Sequence, residues 1–263
     1  MIRMATKLSV NLNKVALLRN QRDVGYPDPV AAGRTILESG AHGLTVHPRP
    51  DERHIRRSDV FDIASLIRDE GWAGKGVEFN IEGNPFDDYL SLVDRIRPDQ
   101  ATLVPDAPDA STSDNGWDVF AEEARLRQVI ATLKGIGCRV SLFMNAMEDP
   151  GPAMRKVADL GADRVELYTG PYAHAFGTAD QAKVLDLYAR TGRAAVDAGL
   201  LINAGHDLTT ENLPALVNAL PRLDEVSIGH AFIADALWQG FDATTRAYLH
   251  ALVCNGAESS AAA

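Results

Sequence analysis

The sequence predicts an α/β protein, a closed (β/α)8 TIM barrel that forms a single domain over residues 1–255. Eight short apolar runs alternate with amphipathic stretches, which is typical of parallel strands alternating with helices. The runs are apolar on both faces, as expected for strands that helices cover on one side. The length of 263 residues suits one barrel domain.

The predicted strands are rich in β-branched residues, and polar residues follow them. In chain order they span residues 8–11, 43–47, 77–82, 101–105, 139–145, 164–168, 200–204 and 225–229. An open, doubly wound sheet is the alternative architecture. Such a sheet would normally carry a Gly-rich phosphate fingerprint after its first strand, and the sequence has none there.

Capping residues predict where the helices between these strands begin and end. Asp28 can cap a helix over residues 29–39, which has proline at its first position and ends at Gly40. A helix over residues 87–96 stops before Pro98, because a proline disfavours helical backbone at the residue before it.

The second half of the chain contains two further predicted helices. Residues 178–181 form a capping-box pattern, which opens a helix that reaches about residue 198. The last helix is predicted over residues 232–252. The long connections 106–117 and 169–177 both follow strands, so in a barrel they lie on the catalytic face as lids or binding loops. The small, polar residues 256–263 predict a disordered tail.

Composition narrows the partners and the compartment. The net charge of −10 argues against nucleic acid or an anionic membrane as the main partner. Cys138 and Cys254 lie far apart, which favours two reduced, buried thiols over a disulfide framework. No stretch resembles a signal peptide or reaches the roughly 18 apolar residues of a membrane span. We therefore expect a cytoplasmic protein that binds neither nucleic acid nor membrane.

Polar residues cluster at the carboxyl ends of the predicted strands, and barrel closure brings these ends to one mouth. Four histidines and two carboxylates are among them, a set that suits proton transfer near neutral pH. The residues are Asn11, Asn13, His47, Arg49, His54, Glu82, Glu166, His206 and His230.

Ordinary structural roles compete with function at each of these positions. Glu82 ends an apolar run, and function is favoured there because an unpaired buried carboxylate is costly. Glu166 can equally be a salt-bridged acid inside the barrel. Arg49 follows His47 by two residues and suits a phosphate, although a solvated loop charge is the alternative. We assign no function to the remaining histidines, which are His42, His174 and His250.

The turns after the seventh and eighth strands are candidate phosphate sites, because each leads toward a helix start. They comprise residues 204–207, followed by Thr209 and Thr210, and residues 227–230. Two such sites suit one bisphosphate or two monophosphates. Metal binding is less favoured, since the sequence has no His-x-His or His-Glu-x-x-His motif; a site built from His47, Glu82 and His206 is the open alternative.

Particular strings of residues stand out along the chain. They are LSVNLNK at 8–14, LRNQR at 18–22, GLTVHPRPDERHI at 43–55, FNIEG at 79–83, LVP at 103–105, VELYTGPYA at 165–173, NAGH at 203–206 and IGHA at 228–231. In this order, the set resembles the pyridoxine 5′-phosphate synthase family.

The resemblance implies a (β/α)8 barrel with extra helices that assembles into a homo-octamer. It implies an enzyme that condenses 1-deoxy-D-xylulose 5-phosphate with 3-amino-2-oxopropyl phosphate. The products are pyridoxine 5′-phosphate, inorganic phosphate and water, and the reaction needs no cofactor.

The resemblance also assigns catalytic roles to four residues. His47 and Glu82 match the general bases of the family, and His206 matches its proton donor. Glu166 matches a glutamate that stabilises the transition state. Each step of ring formation moves a proton, which explains the surplus of histidine and glutamate.

Substrate contacts are implied in the same way. The positions that match them are Asn11, Gly229 and His230 for the amino-ketone phosphate, Arg49, His54 and Thr112 for the deoxyxylulose phosphate, and Arg22 for a further contact. Many members have Asp-His where this chain has Asn13 and Lys14, and glycine where it has Asp207. Lys14 can replace a cationic histidine near phosphate, and Asp207 can still contact substrate through its backbone N–H.

Two other functions compete with this interpretation. One is a barrel phosphosugar isomerase or epimerase, in which Glu82 and His47 act on one substrate. The other is a non-catalytic sensor that binds phosphorylated ligands without turnover.

Overall fold

Eight parallel strands form a closed barrel in the computed structural model, which describes residues 5–107 and 113–253. Each strand pairs with the next in the chain, and the eighth pairs with the first. The strands are β1 Lys7–Asn11, β2 Gly43–Val46, β3 Glu78–Gly83, β4 Gln100–Leu103, β5 Arg139–Met144, β6 Arg164–Tyr168, β7 Leu201–Gly205 and β8 Glu225–Ile228. The predicted barrel is therefore confirmed, with strand bounds shifted by no more than two residues.

Helices surround this barrel. They are α1 Asn13–Arg19, α2 Pro29–Glu38, α3 Arg57–Asp69, α4 Asp87–Ile96, α5 Glu123–Ile136, α6 Pro150–Asp159, α7 Gly170–Ala175, α8 Gln181–Asp197, α9 Leu213–Ala219, α10 His230–Gln239 and α11 Phe241–Val253, with a 3-10 turn at Ala73–Lys75. Two helices follow each of β1, β6 and β8, so the fold contains the extra helices that the resemblance implies.

The capping residues act at α2 as the sequence predicts. The Asp28 side chain accepts a hydrogen bond of 2.9 Å from the backbone N–H of Val30. Gly40 follows the helix with a φ of +105°, a conformation that a residue without a Cβ adopts readily. Helix α4 ends at Ile96, and Arg97 takes a left-handed conformation directly before Pro98.

Three predictions of local structure are wrong. The capping box at residues 178–181 does not form, because the Gln181 side chain accepts from the backbone N–H of Gly177 and α8 begins only at Gln181. The connection 169–177 contains the short helix α7. The predicted helix over 232–252 is two helices, because α10 ends at Gly240, which has a φ of +79°.

Alternation along the strands separates an apolar outer layer from a polar interior. Val10, Leu44 and Ile81 are fully buried in the layer between sheet and helices. The inward-pointing Ser9 and Thr45 are buried and share a hydrogen bond of 2.7 Å. The prediction that the strands are apolar on both faces is therefore wrong, because the barrel interior holds polar side chains, including the carboxylates nearer its carboxyl end.

Some predictions concern residues that the structure does not describe. Thr112, Cys254 and the tail 256–263 all lie outside the described ranges. Cys138 is buried and forms no disulfide with another described residue. Within the described ranges, no helix is long and apolar enough to cross a membrane.

Candidate active site

A cavity of about 280 Å³ opens at the carboxyl ends of the strands. It is lined by Asn11, Asn13, Lys14, His47, Arg49, His54, Glu82, Val104, Ser113, Phe143, Glu166, Gly205, His206, Asp207, Ser227, Gly229 and His230. The structure thus brings together the predicted site residues with two exceptions. Arg22 is exposed and does not line the cavity, and Thr112 lies outside the described residues.

Glu82 and His47 face each other inside this cavity. Glu82 is the fifth residue of β3, and its Oε2 lies 3.8 Å from Nδ1 of His47, the residue that follows β2. Asn11 donates a hydrogen bond of 3.2 Å to Oε2 of Glu82, and Ser227 donates one of 3.3 Å to Oε1. Side chains from β1 and β8 therefore hold the carboxylate, and Ser227 is a contact that the sequence analysis missed.

Burial shifts both groups toward their neutral forms. It raises the pKa of Glu82 to about 8, because a charged carboxylate loses solvation inside the barrel. Burial, followed by the charge of Arg49, lowers the pKa of His47 well below its usual value. Near neutral pH, His47 is an uncharged acceptor and Glu82 exchanges its proton readily, the properties that general-base catalysis requires.

Glu166 lies deeper in the same cavity and is 3% exposed. Burial raises the pKa of Glu166 well above its usual value, and the neighbouring Glu82 raises it further. No ion pair among the described residues includes Glu166, and its Oε2 has no hydrogen-bond partner there. The salt-bridge alternative for this glutamate is therefore wrong, and a protonated Glu166 can donate a hydrogen bond to a reacting group.

Gly205 leaves the space that the Glu166 carboxyl group occupies. A Cβ at position 205 would lie 2.5 Å from Oε1 of Glu166 and 2.9 Å from the backbone oxygen of Ser227. Both distances are shorter than ordinary contacts, so a larger residue here would displace the carboxyl group.

Arg49 forms a buried ion pair at the edge of the cavity. Its Nη2 lies 2.7 Å from Oδ2 of Asp106, which also accepts a hydrogen bond of 2.5 Å from Ser113. Both Asp106 and Ser113 belong to the long connection after β4. Arg49 is therefore not a solvated charge on a loop. Asp106 is a residue that the sequence analysis did not single out.

His54 is buried beside Arg49 in an uncharged state. Burial, with Arg49 and Lys14, lowers the pKa of His54 to about 4. The backbone N–H of Ile55 donates to its Nδ1 at 2.8 Å. The neutral ring therefore carries its proton on Nε2, which makes Nε2 a hydrogen-bond donor.

His206 lies on a strained turn directly after β7. Its φ is +90°, and that of Asp207 is +55°. The Thr169 hydroxyl holds the turn through hydrogen bonds to the backbone oxygens of Gly205 and His206, at 2.6 and 2.5 Å. Tyr168 presents its ring edge-on to His206, with centroids 5.2 Å apart. The sequence analysis missed Tyr168 and Thr169 as supports of this histidine.

The two candidate phosphate turns differ in structure. After β8, Gly229 directly precedes the ten-residue helix α10, so backbone N–H groups at its start point toward the mouth. After β7, residues 209–212 form a turn in which Asn212 accepts a hydrogen bond from the Thr209 backbone N–H. Helix α9 begins only at Leu213, later in the chain than the helix start expected at Thr209 and Thr210.

The side-chain oxygen of Asn13 forms a hydrogen bond with the protein backbone. Its Oδ1 accepts a hydrogen bond of 2.9 Å from the backbone N–H of His47, and its own N–H donates to Asn11. This arrangement fixes the strand end that carries His47. Lys14 adds a positive charge to the cavity wall.

A second cavity, of about 340 Å³, adjoins the first. The two cavities share His47 and Arg49, and the apolar side of the second is formed by Phe86, Tyr89 and Leu92.

Among the described residues, no group of three or more histidine, cysteine, aspartate or glutamate side chains is arranged to hold a metal ion. The site therefore offers acid–base groups and anion-binding groups side by side.

Comparison with known proteins relates this site to one family. The family described as "Pyridoxal phosphate biosynthesis protein PdxJ" matches residues 8–253. Pyridoxine 5′-phosphate synthase of Albidiferax ferrireducens is 52% identical over 254 residues, which cover 95% of this chain and 98% of the relative. The synthase of Mesorhizobium japonicum is 52% identical over 249 residues, 94% of this chain and 99% of the relative.

Solved structures with low sequence identity share the fold. The 3-keto-L-gulonate-6-phosphate decarboxylase of Vibrio cholerae aligns with a TM-score of 0.62 at 10% identity, over 95% of this chain and 98% of that chain. Tryptophan synthase from M. tuberculosis aligns with a TM-score of 0.61 at 14% identity, over 94% and 93%. These likenesses concern the barrel alone.

Proposed function

This chain belongs to the PdxJ family of pyridoxal phosphate biosynthesis proteins, and we propose that it is a pyridoxine 5′-phosphate synthase. The proposed reaction joins 1-deoxy-D-xylulose 5-phosphate to 3-amino-2-oxopropyl phosphate without a cofactor. One observation carries the proposal: His47, Glu82 and His206 share a single cavity with the cationic side chains Arg49 and Lys14.

The acid–base groups suit the successive proton transfers of ring formation. Attack of the substrate amine on the pentulose ketone requires a proton to leave nitrogen, and Glu82 or the neutral His47 can accept it. Loss of the resulting hydroxyl requires a proton, which His206 can give. Proton removal beside the imine then expels phosphate, and closure with loss of water completes the aromatic ring.

The anion-binding groups of the cavity suit two phosphorylated substrates held together. Arg49, His54 and Lys14 provide donors for the deoxyxylulose phosphate, whereas the start of α10 at Gly229 and His230 provides backbone donors for the amino-ketone phosphate. Adjacent cavities that share His47 and Arg49 leave room for two reactants. Positioning both reactants in one mouth supplies part of the rate enhancement.

The proposal is tested by mixing the purified protein with both substrates. We expect a pyridine chromophore in the ultraviolet spectrum and one equivalent of inorganic phosphate in ³¹P NMR, with neither signal from one substrate alone. Conversion of a single substrate would contradict the proposal in favour of an isomerase. Binding of both substrates without turnover would contradict it in favour of a sensor.

We also propose that the chain forms a homo-oligomer, with an octamer as the expected state, and works in the cytoplasm. Exposed apolar side chains support self-association: Leu237 is 67% exposed and Trp238 is 90% exposed at the end of α10. Mass photometry of the purified protein is expected to show an assembly of eight chains. A species of one chain at micromolar concentration would contradict the oligomer.

A further inference from the structure

We propose that Asp207 is a positioning residue that orients the His206 ring and holds a proton on its Nδ1, which leaves Nε2 as the nitrogen that donates to substrate. The inference rests on the proposed function, because it assigns Asp207 a role in the proton-donor step of that reaction. It assigns a task to the Asp207 carboxylate itself, in addition to any backbone contact with substrate.

Direct contact between the two side chains is the main observation. Nδ1 of His206 lies 3.0 Å from Oδ2 of Asp207. The two residues are neighbours in sequence, and adjacent side chains usually diverge. Here both residues have positive φ, +90° and +55°, and this unusual turn brings the two side chains together.

Hydrogen bonds from two other residues hold the turn that places His206 against Asp207. Thr169 binds the backbone oxygen of His206, and the Asn212 side chain donates a hydrogen bond of 3.1 Å to the backbone oxygen of Asp207. The ring of Tyr168 packs against the imidazole ring at an interplanar angle of 81°. These restraints limit rotation of the ring about its own side-chain bonds.

The contact with a carboxylate determines which ring nitrogen of His206 carries a proton. An ionised carboxylate only accepts hydrogen bonds, so Nδ1 of His206 carries the proton in this contact. Nε2 is the other ring nitrogen. In the imidazolium, Nε2–H can transfer its proton to the departing substrate hydroxyl, which leaves as water. The ring is left as the neutral Nδ1–H form, still hydrogen-bonded to Asp207.

Asp207 remains ionised under the conditions of the reaction. The hydrogen bond with His206 is the largest influence that lowers the pKa of Asp207, and the charges of His206, His230 and Lys14 lower it further. Burial, followed by the charges of Asp207 and Asp114, raises the pKa of Tyr168. The charged or titratable groups around the pair are therefore Lys14, Asp114, Tyr168 and His230, with Glu166 against the neighbouring Gly205.

Partial exposure limits the size of the effect. The side chains of His206 and Asp207 are 26% and 49% exposed, so solvent screens their interaction. We therefore expect a modest change in rate when the Asp207 carboxylate is removed.

The test compares Asp207→Asn and Asp207→Gly with wild type. Asparagine keeps an acceptor but removes the charge, whereas glycine removes both and suits the positive φ. We expect kcat to fall about threefold in D207N and about tenfold in D207G, with KM within twofold of wild type. Glu211→Gln is the matched control, since Glu211 is an exposed carboxylate on the same turn and should leave kcat unchanged.

Nitrogen NMR of labelled protein provides a readout that does not depend on turnover. The neutral His206 ring should favour the Nδ1–H form in wild type, and D207G should shift it toward the Nε2–H form. Unchanged kcat profiles and an unchanged tautomer in both variants would overturn the inference while leaving the proposed function intact. Absence of product with wild-type protein would instead overturn the proposed function, and the NMR comparison would still decide the role of Asp207.

Discussion

Replacing Glu82 by glutamine is expected to lower kcat by about a thousandfold while the barrel stays folded. Glutamine has nearly the same shape; its one oxygen can keep the hydrogen bond from Asn11, and its amide N–H can donate to the Ser227 hydroxyl. It cannot accept a proton. In wild type, kcat/KM should rise with pH through about 8, where Glu82 loses its proton, and this limb should disappear in the residual activity of E82Q.

The same substitution should change how stability depends on pH. The pKa of Glu82 is raised from 4.5 to about 8 by burial, so the folded protein holds this proton more tightly than the unfolded chain. Its contribution to stability is fully present below about pH 4.5 and is lost as pH rises through about 8. As pH rises from 5 to 8, E82Q should therefore gain on the order of 4 kcal/mol of stability relative to wild type. Burial also raises the pKa of Glu166. Part of the decrease of stability with rising pH should therefore remain in both proteins.

Urea unfolding at pH 5 and pH 8, together with steady-state kinetics, measures both effects. Glu148→Gln is a suitable control because Glu148 is an exposed carboxylate far from the barrel interior. Turnover near the wild-type level in E82Q would remove Glu82 from the mechanism. A stability difference independent of pH would show that the carboxyl group is not held neutral by burial.

Replacing His206 by asparagine is expected to lower kcat about a hundredfold to a thousandfold and to change KM less than threefold. Asparagine tolerates the positive φ of this position and retains hydrogen-bonding atoms. It cannot donate a proton to a departing hydroxyl. The loss should therefore appear in the chemical step rather than in substrate binding.

Single-turnover kinetics separates this effect from slow product release. His174→Asn serves as the control, because His174 is exposed on α7 and has no expected role. A large increase in KM with unchanged kcat would contradict the donor role and indicate that His206 only contacts substrate.

The sequence was sufficient to predict the barrel, because short apolar runs alternate with amphipathic stretches, and most of its site, because polar residues follow those runs. His47, Glu82 and His206 lie at or directly after the carboxyl ends of strands. In a closed parallel sheet these ends surround a single mouth, so the three side chains line one cavity. The break in the last helix was missed because the apolar pattern continues across Gly240, and one glycine is a weak signal inside a helical pattern.

Contacts across loops could not be predicted in this way. The Arg49–Asp106 pair joins residues 57 positions apart, and nothing in either local pattern indicates the partner. The support of His206 by Thr169 depends on the position of β6 beside β7. Arg22 was assigned only through the family resemblance; it lies on an exposed segment, and its substrate contact stays a prediction.

Closure of β8 onto β1 has a consequence for how this protein meets other copies of itself. Every strand of the barrel has a hydrogen-bonded neighbour on both sides, so the described part of the sheet presents no open edge to which a foreign strand could add. Self-association must then proceed through side chains on the outer helices. Such contacts can be tuned residue by residue without weakening the scaffold that holds the catalytic groups.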